Sequence, residues 1–192
     1  MDRTFASRKL WVGVSAVIGV ILFGIFYDTD TALRVSKATF IIVGIYFVGQ
    51  GTIDFIREYR GIATDRVVAS RKLWITVSSV IGVVLANWTG YDDLQASQVT
   101  KGIVIIAFTY IASQSGVDFT ATLKNLKVEN LVTSRKLWTA VAAIVVIAVS
   151  NAVGFDAAAA RQITLGTGGI ATLYIGVKGA VDISKQILRA RR

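Results

Sequence analysis

Neither cysteine nor histidine occurs anywhere in the 192 residues, and proline is missing as well. Without thiols or imidazoles the chain has no disulfides, no thiolate chemistry, no cysteine–histidine zinc site and no histidine-based triad or proton shuttle. Without proline, no helix is forced to kink or to leave a carbonyl unpaired. Charge is scarce too. Only 17% of residues are charged against 54% hydrophobic, with mean hydropathy +0.60, which is too apolar for an ordinary soluble surface. No nucleophile–base pair, phosphate-cradling loop or metal-ligand cluster can be read in what remains, so neither enzymatic activity nor a cofactor is expected.

What is present is a repeat. Ser-Arg-Lys-Leu-Trp occurs at Ser7 to Trp11, Ser70 to Trp74 and Ser134 to Trp138. An aromatic followed by aspartate recurs as Tyr27-Asp28, Tyr91-Asp92 and Phe155-Asp156, and Tyr46, Tyr110 and Tyr174 recur behind it. The chain therefore divides into three copies of one unit, 1–64, 65–128 and 129–192, forming one membrane domain. Each copy holds two apolar runs, at 11–27 and 38–56, 74–91 and 102–119, 138–155 and 166–183. A bilayer needs about 20 residues of helix at about 1.5 Å each, and these runs are near that length. Soluble helical arrays keep a polar outer face, and Val12 to Phe26 has none. The expected fold is all-α: an integral membrane protein with six transmembrane helices, as three tandem hairpins. Three hairpins of equal orientation are parallel repeats, for which a pseudo-threefold bundle is the simplest closed arrangement.

The net charge of +9 is unevenly placed. The termini and the linkers between copies hold 17 of the 21 basic residues, and the hairpin turns hold four, Arg34, Lys37, Lys101 and Arg161. Positive flanks stay cytoplasmic, so both termini and both linkers are expected inside, in a multi-pass protein of the cell inner membrane. The same basic segments suit the anionic inner leaflet better than a specific nucleic acid.

Polar residues near and within the spans form the candidate site. Arg8, Lys9 and Trp11, with Arg71, Lys72 and Trp74, and Arg135, Lys136 and Trp138, open the first helix of each copy as charged and aromatic interface anchors. On the second helices a stripe at i, i+4, i+8 reads Tyr46, Gln50, Asp54; then Tyr110, Gln114, Asp118; then Tyr174, Lys178, Asp182. An aspartate at this depth needs a partner, and the neighbouring Arg-Lys supplies one; the alternative faces the stripe inward as a polar vestibule. Asn87 and Asn151 occupy equivalent intramembrane places, as interhelical hydrogen bonders or as the lining of a wet path. The aspartates of the turns cap the second helices, or else form an outward ring that attracts cations. Small residues mark close helix contacts, namely Ser15 with Gly19, Ser78 with Gly82, and Gly166, Gly168, Gly169, Thr172, Gly176 and Gly179 in the last helix.

The Ser-Arg-Lys-Leu-Trp opening, the short acidic turn and a second helix ending in tyrosine, a small residue and aspartate resemble the small two-helix, holin-like membrane proteins of bacteriophages and prophages. Tyr46, Gly49 and Asp54 fit that ending; Tyr110 and Asp118 fit with Ala112 and Ser113 in the glycine region; Tyr174 and Asp182 fit with Gly176 displaced by one. The resemblance implies a phage-type protein that permeabilises the bacterial inner membrane and works as a homo-oligomer. It departs from single hairpins in fusing three into one chain. Two other functions are open: a non-conducting membrane scaffold or virion assembly component that binds a protein partner through the basic linkers, and an ion or small-solute channel.

Overall fold

The computed structural model describes residues 28–59, 71–88, 93–123, 134–153 and 157–189. Arg8, Lys9, Trp11 and the whole first apolar run lie outside the described residues. So do the linker cations Arg60, Arg66, Lys124 and Lys127, and the side chain of Asn151.

Every described element is an α-helix: α1 (Thr29–Tyr59), α2 (Arg71–Trp88), α3 (Asp93–Leu123), α4 (Arg135–Ala152) and α5 (Ala157–Arg189). Two lengths alternate. The 18 residues of α2 and α4 span about 27 Å, whereas the 31 to 33 residues of α1, α3 and α5 span about 46 to 50 Å. Asp28 starts α1 as an N-cap: its Oδ1 accepts from the backbone N–H of Thr31 at 2.9 Å and of Asp30 at 3.1 Å. Those bonds, led by the one from Thr31, hold the Asp28 carboxyl below the usual carboxylate range. Capping is thus the role of Asp28, while Asp30 stands exposed in the first turn of α1, and Asp92, Asp156 and the side chain of Asp93 lie outside the described residues.

Helix directions follow from which residues meet. Along α3 and α5 the contacts climb together, Gly102 near Thr164, Ser113 against Gly179 and Gly116 near Ile183, so these helices are parallel. Between α2 and α3 they run in opposite senses, Lys72 to Asp118, Gly82 to Ile103 and Asn87 to Thr100, which defines an antiparallel hairpin. The short helices α2 and α4 are parallel to each other, with Arg71 near Ser134 and Gly82 near Ile144.

The helices stack in two staggered layers. The long helices form one row, α1 beside α3 beside α5; α2 lies over the groove between α1 and α3, and α4 over the groove between α3 and α5. The central helix, α3, packs on all four others, whereas α1 and α5 hardly touch. A closed pseudo-threefold bundle would bring α1 and α5 together, so the described helices form an open row instead. The physical reason lies in α3, whose side chains serve both neighbours: Ile111 and Ser115 meet Gly49 of α1, and Ser113 meets Gly179 of α5. The core they enclose includes Ile42, Tyr46, Ile75, Val83, Ile103, Tyr110, Ile144, Ile147 and Ile175, none more than 2% exposed.

The outside is apolar. Phe40, Val48 and Phe55 on α1 and Ile170 and Leu173 on α5 are each at least 70% exposed. Two helices are long and apolar enough to cross a membrane, over Thr29–Arg57 and Leu94–Leu123. The other three do not reach that measure among the described residues. The two short helices each open on Arg-Lys, and α5 carries Arg161, Lys178, Asp182 and a run of glycines. Those glycines also differ from the expectation of one tight crossing. Gly179 seats against Ser113, but a Cβ on Gly166, Gly169 or Gly176 would meet nothing within 4 Å.

Candidate functional site

The first helices begin with two cations, and the second helices carry an aspartate near their ends. Both placements oppose the helix macrodipole, which favours acid at the start and base at the end. Folding the hairpins of copies two and three antiparallel brings the two misplaced groups together. In copy two Lys72 Nζ lies 3.0 Å from Asp118 Oδ2 and Arg71 Nη2 lies 3.8 Å from Oδ1, while Gln114 Nε2 donates to Oδ1 at 2.6 Å. In copy three Lys136 Nζ lies 2.8 Å from Asp182 Oδ2 and Lys178 Nζ 3.1 Å from Oδ1. Lys178 therefore takes the place of Gln114 on the same carboxylate oxygen. In copy one Gln50 Nε2 donates to Asp54 Oδ1 at 2.6 Å, and the cations of that copy, Arg8 and Lys9, are outside the described residues.

These groups are far from water. Arg71, Lys72 and Lys136 are 6%, 3% and 2% exposed, against 13% for Asp118 and 20% for Asp182. Isolated charges at such burial are strongly disfavoured, and the carboxylates supply the compensating partner for each lysine inside the bundle. Arg135, by contrast, is exposed, and Trp74 and Trp138 turn outward beside the buried lysines. In the two described Arg-Lys-Leu-Trp segments the lysine thus enters the bundle and the tryptophan, two residues on, lies on the surface.

The stripe runs inward from this rim. Tyr46, Gln50, Tyr110 and Gln114 are all 2% exposed or less. The tyrosines and glutamines of copies one and two face the interior, and the aspartates of copies two and three are paired with the neighbouring lysines. In copy three the stripe is less covered, with Tyr174 37% exposed on α5, the outer helix of the described row. At the other end of the hairpin Asn87 Nδ2 donates to Thr100 Oγ1 at 3.0 Å and to the Val83 carbonyl at 2.8 Å, joining α2 to α3.

One participant is absent from the sequence reading. The serine of the repeated motif, Ser134, is fully buried and accepts from Arg71 Nη1 at 3.4 Å, which links copy two to copy three. Its recurrence at Ser7, Ser70 and Ser134 is the signal that points to it.

The class that this geometry defines is, among the described residues, an open helical array in which the hairpins of copies two and three are each clasped at one end by a buried ion pair. No protein-family model, curated protein or solved structure matches the chain significantly.

Proposed function

We propose that the chain is a multi-pass protein of the bacterial inner membrane, its three hairpins crossing the bilayer six times with the basic linkers and both termini on the cytoplasmic side. It acts in the bilayer as a holin-like protein. The observation that carries this reading is the arrangement of surfaces: large apolar side chains such as Phe40, Val48, Phe55 and Ile170 face outward, while Lys72 and Lys136 of the first helices are turned in and paired with Asp118 and Asp182. Lipid is the solvent that suits such a surface. The positive ends meet the anionic inner leaflet. The Ser-Arg-Lys-Leu-Trp pattern adds the holin-like character, and permeabilisation would then require copies to associate laterally.

A second reading, a non-conducting membrane scaffold, is favoured by the clasps themselves. Asp118 and Asp182 are each held by cations of their own hairpin, which removes those carboxylates from any ion path. Inducible expression in bacteria carrying a potential-sensitive dye separates the two. Loss of membrane potential as the protein accumulates supports the holin-like reading. An unchanged potential at high membrane content overturns it in favour of the scaffold. Recovery of the protein in the soluble fraction, or its release from membranes by alkaline carbonate, overturns both.

A further inference from the structure

Between α3 and α5, at the end where the hairpin turns lie, runs a groove of about 550 Å³. Its origin is legible residue by residue. Where α3 carries Val104, Ile105 and Phe108, the equivalent positions of α5 carry Gly168, Gly169 and Thr172. Three side chains are cut back on one face of one helix. A Cβ on Gly169 would meet nothing within 4 Å and one on Gly168 only Ile147 at 3.9 Å, so the space is open rather than filled by a neighbour. Glycine is a poor helix former, and the helix holds two in succession here. At the rim of the groove stand two exposed cations, Lys101 on α3 and Arg161 on α5. They are two of the four basic residues that the chain places near its turns. The parallel helices α3 and α5 also point their positive N-terminal ends this way.

An apolar trough with two cations at its mouth is complementary to an anionic amphiphile. We propose that this groove binds one anionic phospholipid of the outward-facing leaflet, its phosphodiester held by Lys101 and Arg161 and one acyl chain lying over Gly168 and Gly169. The lipid acts as a wedge that fills the gap in the third copy and ties α5 to α3. This rests on the membrane reading above, and it adds a defined lipid site to a surface that would otherwise contact lipid without preference.

The test uses the full chain reconstituted in phosphatidylcholine vesicles with trace spin-labelled phosphatidylglycerol or spin-labelled phosphatidylcholine, reading the immobilised lipid fraction. Alkaline carbonate extraction is run on the same vesicles. If the protein washes off, the membrane reading fails; if it stays, the lipid result stands on its own. The inner basic ends also attract phosphatidylglycerol, so the readout is the change between variants. Lys101→Gln with Arg161→Gln should lower the preference for phosphatidylglycerol by about fivefold for each cation removed, the attraction of one basic side chain to an anionic surface. Gly168→Val with Gly169→Ile restores the residues of copy two and should remove one immobilised lipid per chain with helix content unchanged. A preference that survives the charge variant, or a lipid count that survives the filled groove, overturns the proposal. Capture of a second protein copy in the groove, seen as cross-linking of the Gly169→Cys variant, overturns it as well.

Discussion

Lys72 Nζ sits 3.0 Å from Asp118 Oδ2, joining the first turn of α2 to the closing turns of α3, and the pair is almost entirely buried. Sixty-four residues on, Lys136 and Asp182 repeat it at 2.8 Å. The two clasps are not equal in their reserves. Asp118 keeps a buried arginine 3.8 Å away, and Asp182 keeps Lys178 at 3.1 Å, a partially exposed cation one helical turn back. The same carboxylate therefore has a weak second cation in copy two and a close one in copy three.

Removing one partner of a buried pair costs about 3–5 kcal/mol, because the other charge is left without compensation. Lys72→Met is expected to destabilise toward that range, and Lys136→Met by less, since Lys178 still reaches Asp182. Replacing both partners, as Lys72→Met with Asp118→Leu, should recover most of the loss. Unfolding in mixed detergent micelles, followed by circular dichroism across the double-mutant cycle, measures each value. Equal losses for the two lysines would show that Lys178 does not substitute.

At the opposite end of the hairpin Asn87 is the second tie. Its amide spans from α2 to Thr100 on α3 at 3.0 Å. Hydrogen bonds of this kind between membrane helices contribute about 0.6–2 kcal/mol. Asn87→Ala should lose an amount in that range, whereas Thr100→Val should lose nearly the same, and the two together little more than either. The same micelle titration tests this. Fully additive losses would mean that the two side chains act independently.

Much of this was readable in the chain before its structure, and the boundary is physical. The hairpin is dictated by local features: apolar runs of helix length, an aspartate placed to cap, and the 64-residue recurrence of Lys72 and Asp118 at Lys136 and Asp182. The pairing of cations with aspartates follows because a buried carboxylate has few other ways to be satisfied. The arrangement of copies does not follow. A pseudo-threefold ring and an open row use the same hairpins and the same small residues, and they differ only in whether α5 returns to α1. The glycines of α5 show the same limit. Composition marks Gly169 and Gly179 alike, yet one faces an empty groove and the other seats against Ser113. Composition also hid Ser134, whose hydroxyl matters only because the neighbouring copy brings Arg71 to it.

The turn aspartate gives a pH test. Asp28 accepts backbone N–H bonds in the folded chain, which lowers its pKa from the value it has in an unfolded one. Its contribution is therefore fully present above the unfolded pKa and is lost as pH falls through the folded value. Fraying of the first turn of α1, followed by amide exchange at Asp30 and Thr31, should rise on acidification below the ordinary carboxylate range. In Asp28→Asn, which retains a capping oxygen without the titrating proton, that rise should vanish. Persistence of the acid-dependent fraying in the variant would assign it to another group.

The two kinds of glycine in α5 make opposite predictions for one substitution. Gly169→Ala adds a methyl where nothing lies within 4 Å and removes a poor helix former, so it should stabilise by up to about 1 kcal/mol. At Gly179 the added Cβ would overlap Ser113 Oγ and lie 3.0 Å from Ser113 Cβ. A hydroxyl can rotate away, but a Cβ and the helix behind it cannot, so the parallel contact of α3 with α5 must widen. Overpacking of this sort costs about 1–3 kcal/mol. Pairing the change with Ser113→Gly moves the small residue to the other helix, as Gly49 opposite Ser115 already does between α1 and α3, and should restore stability. Thermal unfolding of the three variants decides it. A neutral Gly179→Ala would mean that α5 slides freely on α3, and the long row would then lack the close contact that sets its spacing.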